Sequence, residues 1–296
     1  MRARVADHTS DACDLDLQPL AGRIGAVVSG VEIGAGMSPG ALDAIDAAVA
    51  RYGVVFLRGQ DLDYASQAAF AEAFGPLSPG HPIFPTPKDT PHLRAFDAKT
   101  GIRANYWHSD LTFLPDPPAL AFLRSVVVPD TGGDTMWASG TAAFRDMPSA
   151  LQAFALSLDI IHSNNCDYID ATMGNGRSGY VSTPFEARHP AVAAHPSTGE
   201  PYLLVGGFAQ RVDGYGPDES RAILALLKHY LGRPENTVRW TWRPGDLAIW
   251  DNLATQHYAI HDYGDADRLN ERIMTSGSPP KPFRDHVPSK TNRGTG

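Results

Sequence analysis

His108 and Asp110 stand two residues apart in Tyr106-Trp107-His108-Ser109-Asp110, and a further imidazole, His257, follows far downstream in Gln256-His257-Tyr258. On an extended strand positions i and i+2 point to the same side, so the first two side chains could grip one metal ion. Two histidines and one carboxylate that leave coordination positions open form the donor set of a non-haem Fe(II) oxygenase. A pattern this short also arises by chance, and an exposed strand pair would read the same way. The apolar neighbours Trp107, Leu111 and Phe113 point to a partly desolvated strand, where a carboxylate beside a histidine needs a cation to remain charged cheaply.

A second set lies around Arg272, fifteen residues after His257 and flanked by Leu269, Ile273 and Met274. A guanidinium in apolar company needs an anionic partner, and its planar fork suits bidentate capture of a carboxylate. A structural salt bridge would meet the same need. Thr135, after Thr131-Gly132-Gly133-Asp134, offers a hydroxyl that could share that carboxylate, although a strand threonine needs no reason beyond β-propensity.

The elements that must carry these residues read as mostly short strands. Leu15 to Leu20, Gly25 to Ile33 and Val54 to Leu57 are strand-like, and a helix capped by Ser38 with Pro39 at its first position runs to Gly53. A second short helix covers about Tyr64 to Phe74, and residues 76 to 104 look like an ordered loop. Strands are expected over His108 to Phe113, Ala119 to Val128 and Asp134 to Ser139, the last two paired through the Thr131-Gly132-Gly133 turn. Pro148 to Leu158 reads as helix. Residues 164–185 turn to Asn, Gly and Ser without periodicity, and an active-site lid is the reading this length favours. Ala191 to His195 and Tyr202 to Val205 flank a hairpin-like turn. Asp218 to Leu231 is an amphipathic helix with Ile223, Leu227 and Tyr230 on one face. Thr237 to Trp242, Leu247 to Trp250, His257 to Ile260 and Arg272 to Thr275 complete the strands. The pattern predicts a mainly β chain with flanking helices and a jelly-roll core. A single domain over 1–296 is expected, its core at about residues 17 to 282 between tails at 1–15 and 283–296.

With 296 residues, the chain is long enough to bury a large core, and its 43% hydrophobic and 20% charged residues are those of a soluble globular protein. A net charge of -8 lacks the basic face that nucleic acid requires. No apolar run reaches the roughly 20 residues of a membrane span, and the first residues lack a signal-peptide core. Cys13 and Cys166 form no spacing motif, which makes a reduced cytoplasm the simplest setting.

Trp107-His108-Ser109-Asp110-Leu111-Thr112-Phe113, Thr131-Gly132-Gly133-Asp134-Thr135-Met136-Trp137 and Pro244 to Asn252 together resemble the taurine dioxygenase (TauD/TfdA) family, as do Gln256-His257-Tyr258-Ala259 and Arg272-Ile273-Met274. The resemblance implies a double-stranded β-helix (jelly roll, cupin-like) core and an Fe(II)-, 2-oxoglutarate- and O2-dependent dioxygenase. It implies His108, Asp110 and His257 as iron ligands, and Arg272 and Thr135 on the distal carboxylate of 2-oxoglutarate. The family couples oxidative decarboxylation of 2-oxoglutarate, giving succinate and carbon dioxide, to oxidation of a substrate C–H bond. It commonly forms dimers or tetramers, so a homo-oligomer acting on a small, anionic molecule, without nucleic acid or membrane, is expected.

On the substrate side His81 matches a histidine that contacts the sulfonate in taurine dioxygenase. Two further positions of the taurine pattern differ: the tyrosine three residues after that histidine is Phe84, and the arginine four residues after the 2-oxoglutarate arginine is Ser276. Asn105 and Leu111, beside the metal motif, complete the candidates. The His257-to-Arg272 interval and Glu235-Asn236-Thr237-Val238-Arg239-Trp240 look more like the alkylsulfatase branch, in which hydroxylation beside a sulfate ester releases an aldehyde and sulfate. An alternative of another class is a non-oxidative metal-binding β-helix protein, an isomerase or a binding module.

Overall fold

Val54-Val55-Phe56-Leu57 is apolar at every position because both faces of that strand are covered, Val54 and Phe56 by one cluster and Val55 and Leu57 by another. The same alternation runs through Ala121 to Leu123, Leu247 to Trp250 and Ile273-Met274 of the sheet to which it belongs. The computed structural model describes residues 15–34, 37–84, 86–100, 104–165 and 184–286. In chain order its first elements are β1 (Asp16–Pro19), β2 (Ala26–Ser29), α1 (Pro39–Tyr52), β3 (Val54–Leu57), α2 (Tyr64–Glu72) and β4 (Arg94–Asp97). Next come β5 (Leu120–Val127), β6 (Thr135–Ser139), α3 (Gly140–Arg145), α4 (Ser149–Leu156), β7 (Asp159–Ser163) and β8 (Glu186–Pro190). The last group is β9 (Val192–Ala194), β10 (Pro201–Leu203), β11 (Ala209–Val212), α5 (Pro217–Leu231), β12 (Thr237–Trp240), β13 (Leu247–Asp251), β14 (Thr255–Ala259) and β15 (Leu269–Met274).

A seven-stranded sheet has the order β1-β2-β3-β13-β5-β15-β4, and a three-stranded sheet the order β12-β6-β14. They face each other across an aromatic layer, in which Phe56 stacks on Trp240 at 4.2 Å and Trp137 meets Trp250 at 5.6 Å. The outer face of the large sheet, with Val55, Phe122, Ile249 and Ile273, packs against Ile45 and Val49 of α1 and Phe70 of α2. A third cluster joins Leu224, Leu227, Tyr230 and Leu231 of α5 to β7, β9, β10 and β11.

Local signals placed α1 well. Ser38 caps it by accepting a hydrogen bond from the Ala41 amide, and Gly53 ends it at φ 73°. Along α5 the buried face is carried by Leu224, Leu227, Tyr230 and Leu231, with Ile223 at its margin. Pairing differs from expectation at the Thr131-Gly132-Gly133 turn. β5 and β6 are not a hairpin: the Thr131-Gly132-Gly133 connection carries the chain from the large sheet to the small one. The chain crosses back between β12 and β13, again to β14, and again to β15. Consecutive strands that alternate between two sheets make the double-stranded β-helix, and an alternating pattern within a strand cannot say which sheet it joins.

Two stretches are corrected outright. His108 to Phe113 is not a strand: His108 makes a single bridge to His257, and the chain then turns, with Leu111 at φ 55°. Residues 76 to 104 are not all loop, since β4 pairs with β15 at the edge of the large sheet. Residues 166–183 of the expected lid lie outside the described residues; its ends are tied by the Phe185 amide donating to Asn164 Oδ1 at 2.8 Å. No described helix is long and apolar enough to cross a membrane.

Candidate metal centre and its cavity

His108 and His257 come together because their backbones pair. The His108 amide donates to the His257 carbonyl at 3.1 Å, and the His257 amide to the His108 carbonyl at 2.8 Å. A bridge, unlike an i, i+2 repeat, sets two imidazoles from distant segments side by side, here with ring centres 4.1 Å apart. Asp110 reaches them from the turn. Its oxygens lie 3.8 Å from His108 Nε2 and 3.7 Å from His257 Nε2, and all three groups are buried with ligand atoms within 4.8 Å of one another.

The donors have the protonation states a divalent ion requires. Burial, the largest influence, lowers the pKa of both histidines, and each also feels the Arg272 charge, so both rings are neutral. Burial would raise the Asp110 pKa, but the charges around it, Arg272 first among them, more than offset it and hold it at about 2. His108 Nδ1 is 2.8 Å from the Tyr106 carbonyl, which assigns the proton to Nδ1 and frees Nε2 for a metal. Two neutral imidazole nitrogens and one carboxylate oxygen, meeting beside a cavity, fit Fe(II) with positions left open.

Several residues without a sequence-based assignment hold the turn. Asn252, fully buried, accepts from the Asp110 amide at 2.7 Å and donates to the Asp110 and Pro118 carbonyls at 3.0 and 2.9 Å. Thr112 is tied to His162 Nδ1 at 2.9 Å, and its carbonyl lies 2.8 Å from His189 Nε2. Asn252 lay in a stretch already singled out, but nothing local revealed that its amide would span to residue 110. Asn252→Ala is expected to cost about 2–4 kcal/mol, from several buried hydrogen-bonding groups left unpaired, and to weaken Fe(II) binding ~10-fold or more. Urea unfolding with anaerobic Fe(II) titration checks this; iron affinity equal to wild type would refute the clamp.

A cavity open to solvent lies beside the metal set, enclosing about 680 Å³ when the open solvent at its mouth is included. Thr135, Arg268 and Arg272 all line it. The two arginines stand differently. Arg272 Nη1 lies 2.6 Å from Asp110 Oδ2 as an ion pair, without hydrogen-bond alignment at that oxygen, and its Nε has no partner. Arg268 is 8% exposed, donates from Nε to the Gly133 carbonyl at 3.1 Å, and has no carboxylate in salt-bridge range among the described residues. Its pKa is lowered chiefly by burial. A buried cation without an acidic partner is costly, so Arg268 fits a site completed by an anion. Thr135 Oγ1 accepts from Trp242 Nε1 at 3.0 Å, which turns its hydroxyl hydrogen outward as a donor.

The other candidates divide. His81 and Phe84 touch, ring centres 4.6 Å apart. His81 Nδ1 accepts from the amides of Ile83 and Phe84, which leaves its proton on Nε2. Burial first, then Arg272 and Arg94, lowers its pKa to about 3, so it is an uncharged donor at neutral pH. Leu111 is buried in the aromatic layer. Asn105 is exposed, as is Ser276, whose hydroxyl donates to the Leu77 carbonyl at 3.2 Å; neither lines the metal cavity.

A two-sheet β-helix that buries two histidines and a carboxylate beside an anion-ready cavity defines a metal-dependent oxygenase of the jelly-roll class. The chain belongs to the family described as "Taurine catabolism dioxygenase TauD, TfdA family", which it matches over residues 16–275. It is 42% identical over 292 residues to an alpha-ketoglutarate-dependent sulfate ester dioxygenase of Pseudomonas putida, covering 96% of each chain. To an alkylsulfatase of Acinetobacter baylyi it is 40% identical, covering 89% of this chain and 85% of the relative. A taurine dioxygenase structure from Burkholderia xenovorans superposes with a TM-score of 0.78 at 33% identity, covering 90% of each chain. The expected family, its alkylsulfatase-like branch and the jelly-roll core are borne out. The protein is an Fe(II)- and 2-oxoglutarate-dependent dioxygenase that oxidises a small molecule with O2.

Proposed function

We propose that the enzyme oxidises the carbon beside the ester oxygen of small alkyl sulfates, with His108, Asp110 and His257 holding iron and two arginines dividing the anions between them. The observation that carries this reading is the different partnering of those arginines. A keto acid with one end on iron would need, for its far carboxylate, a cation that is not already matched. Arg272 is paired with Asp110 of the candidate metal set. Arg268, with no carboxylate in salt-bridge range among the described residues, shares the cavity with Thr135 and would meet it.

This moves the 2-oxoglutarate role from Arg272 to Arg268, eleven residues after His257. The longer interval then no longer argues for the branch; the two relatives named above do. The arginine expected four residues further on is now Arg272 and not Ser276, so the substrate anion keeps its cation. The missed signal was a pair of arginines four apart, of which only the second stood beside Ile273-Met274.

Iron with 2-oxoglutarate and O2 supplies the oxidising power. Arg268 and Thr135 orient the co-substrate, Arg272 and the Nε2–H of His81 hold the anionic head, and the aromatic layer keeps water from the reacting carbon. Hydroxylation of R–CH2–O–SO3⁻ gives R–CH(OH)–O–SO3⁻. Loss of the hydroxyl proton and cleavage of the C–O bond to sulfate then yield R–CHO and hydrogen sulfate. Alkyl sulfates, alkanesulfonates and carboxylates should be compared for succinate release, with sulfate and aldehyde measured alongside. Alkyl sulfates are expected to give one sulfate and one aldehyde per succinate; succinate no faster than without substrate would end this reading.

A further inference from the structure

Arg268 just before β15, and Asn270 and Arg272 within it, follow one another at alternate positions, and all three line the metal cavity. Alternate positions of a strand point to one face, so Asn270 stands between the two arginines of the site. Phe96 of β4 lies directly opposite it, and the register against β5 shifts between Leu269 and Asn270. Asn270 is 1% exposed, and an amide so buried needs partners at both ends. Oriented to satisfy both, it donates from Nδ2 to the Leu269 carbonyl at 3.0 Å and accepts at Oδ1 from Arg268 Nη2 at 3.0 Å.

Arg268 is thus held from two sides by oxygens that carry no net charge. The Gly133 carbonyl accepts from its Nε at 3.1 Å, and the Asn270 amide from its Nη2. Asp134 acts on Arg268 through space but is bonded elsewhere, to Arg239 Nε at 2.6 Å and to Thr241 Oγ1 at 3.0 Å. Two neutral acceptors fix the direction of a guanidinium without cancelling its charge. A carboxylate in either place would fix it as well but would also neutralise it, as Asp110 does for Arg272 at 2.6 Å.

We propose that Asn270 is a positioning residue for co-substrate selection: its neutral oxygen holds Arg268 at the cavity wall and leaves the cation's charge for the far carboxylate of a 2-oxo dicarboxylate. This rests on the assignment of Arg268 to 2-oxoglutarate above. The consequence is selectivity between keto acids that differ only at the far end. 2-Oxoglutarate and 2-oxovalerate share the 2-oxo acid group and the chain length, but one ends in a carboxylate and the other in a methyl group. Only the first uses the charge that Asn270 leaves free.

The test loads the full chain with Fe(II) under anaerobic conditions and titrates it calorimetrically with each keto acid. Asn270→Asp, nearly the same shape, is expected to weaken 2-oxoglutarate binding ~100-fold, because the ligand then meets a guanidinium already paired, with 2-oxovalerate binding within twofold of wild type. Its urea midpoint should equal or exceed that of wild type, since the introduced carboxylate pairs with Arg268. A merely structural asparagine would instead lose stability and both ligands together. Asn270→Leu, which removes the oxygen without adding charge, should weaken 2-oxoglutarate binding ~10-fold, the scale of one hydrogen bond to a charged group. Binding of 2-oxoglutarate to Asn270→Asp within twofold of wild type would overturn the inference, as would an equal loss of 2-oxovalerate. Arg268→Ala separates this role from the reading beneath it. If that variant binds 2-oxoglutarate as wild type does, the assignment of Arg268 falls; if it binds weakly while Asn270→Asp binds normally, only the role of Asn270 falls.

Discussion

Arg268→Ala should raise the KM for 2-oxoglutarate by ~100-fold, the scale of removing one partner from a buried, hydrogen-bonded charge pair. The physical reason is burial without an acid. Arg268 is 8% exposed and bonded to the Gly133 carbonyl, with no carboxylate in salt-bridge range among the described residues, so the co-substrate would supply its counter-charge. Arg272→Met should act differently, spoiling use of the anionic substrate much more than the KM for 2-oxoglutarate. Steady-state kinetics of both variants, varying each substrate in turn, separates the roles. Should Arg272→Met carry the large 2-oxoglutarate effect and Arg268→Ala almost none, the assignment drawn from the sequence pattern would be restored.

The second large effect concerns stability and metal together. Asp110→Ala removes a metal ligand and also leaves Arg272 buried beside nothing that balances it. Breaking a buried pair from one side costs about 3–5 kcal/mol, because the remaining charge is uncompensated. Metal-free Asp110→Ala should therefore unfold at clearly lower urea concentration than metal-free wild type. Adding Arg272→Met should return most of that stability by removing the orphaned charge, yet Fe(II) binding should stay lost. A double variant no more stable than Asp110→Ala would show that the Asp110–Arg272 pair is not what the single substitution breaks. Equal Fe(II) affinity in wild type and Asp110→Ala would remove Asp110 from the proposed ligand set.

Both expectations depend on geometry that spacing alone does not contain. The residue types of the metal set were legible: two histidines, one aspartate and the aromatic company of His108 pointed to a metal before any contact was known. Their arrangement was misread. An i, i+2 repeat suggested a strand, whereas the Asp110 carboxylate arrives from a turn held by Asn252 and passing through Leu111 at φ 55°. A left-handed leucine is uncommon, and no local propensity announces it. The two arginines show the same division. Sequence neighbours placed Arg272 in apolar company and buried it, as it is, but could not say that its charge was already met by Asp110.

Strand identity followed from local chemistry wherever burial on both faces wrote a continuous apolar run, as at Val54 to Leu57, or a cap and a glycine marked a helix, as at Ser38 and Gly53. Those signals lie within a few residues of one another. Sheet membership did not follow from them, because β5 and β6, or β12 and β13, alternate in burial in the same way whether they pair or separate. The amino-acid sequence by itself therefore determined most of the elements, the donor types and the family. Tertiary structure decided which distant segments meet: the His108–His257 bridge, the span of Asn252 to Asp110, and the opposition of Arg94 and Arg272 across β4 and β15. Hydrogen bonds and charges between segments far apart in the chain decide these, and they leave no periodicity to read.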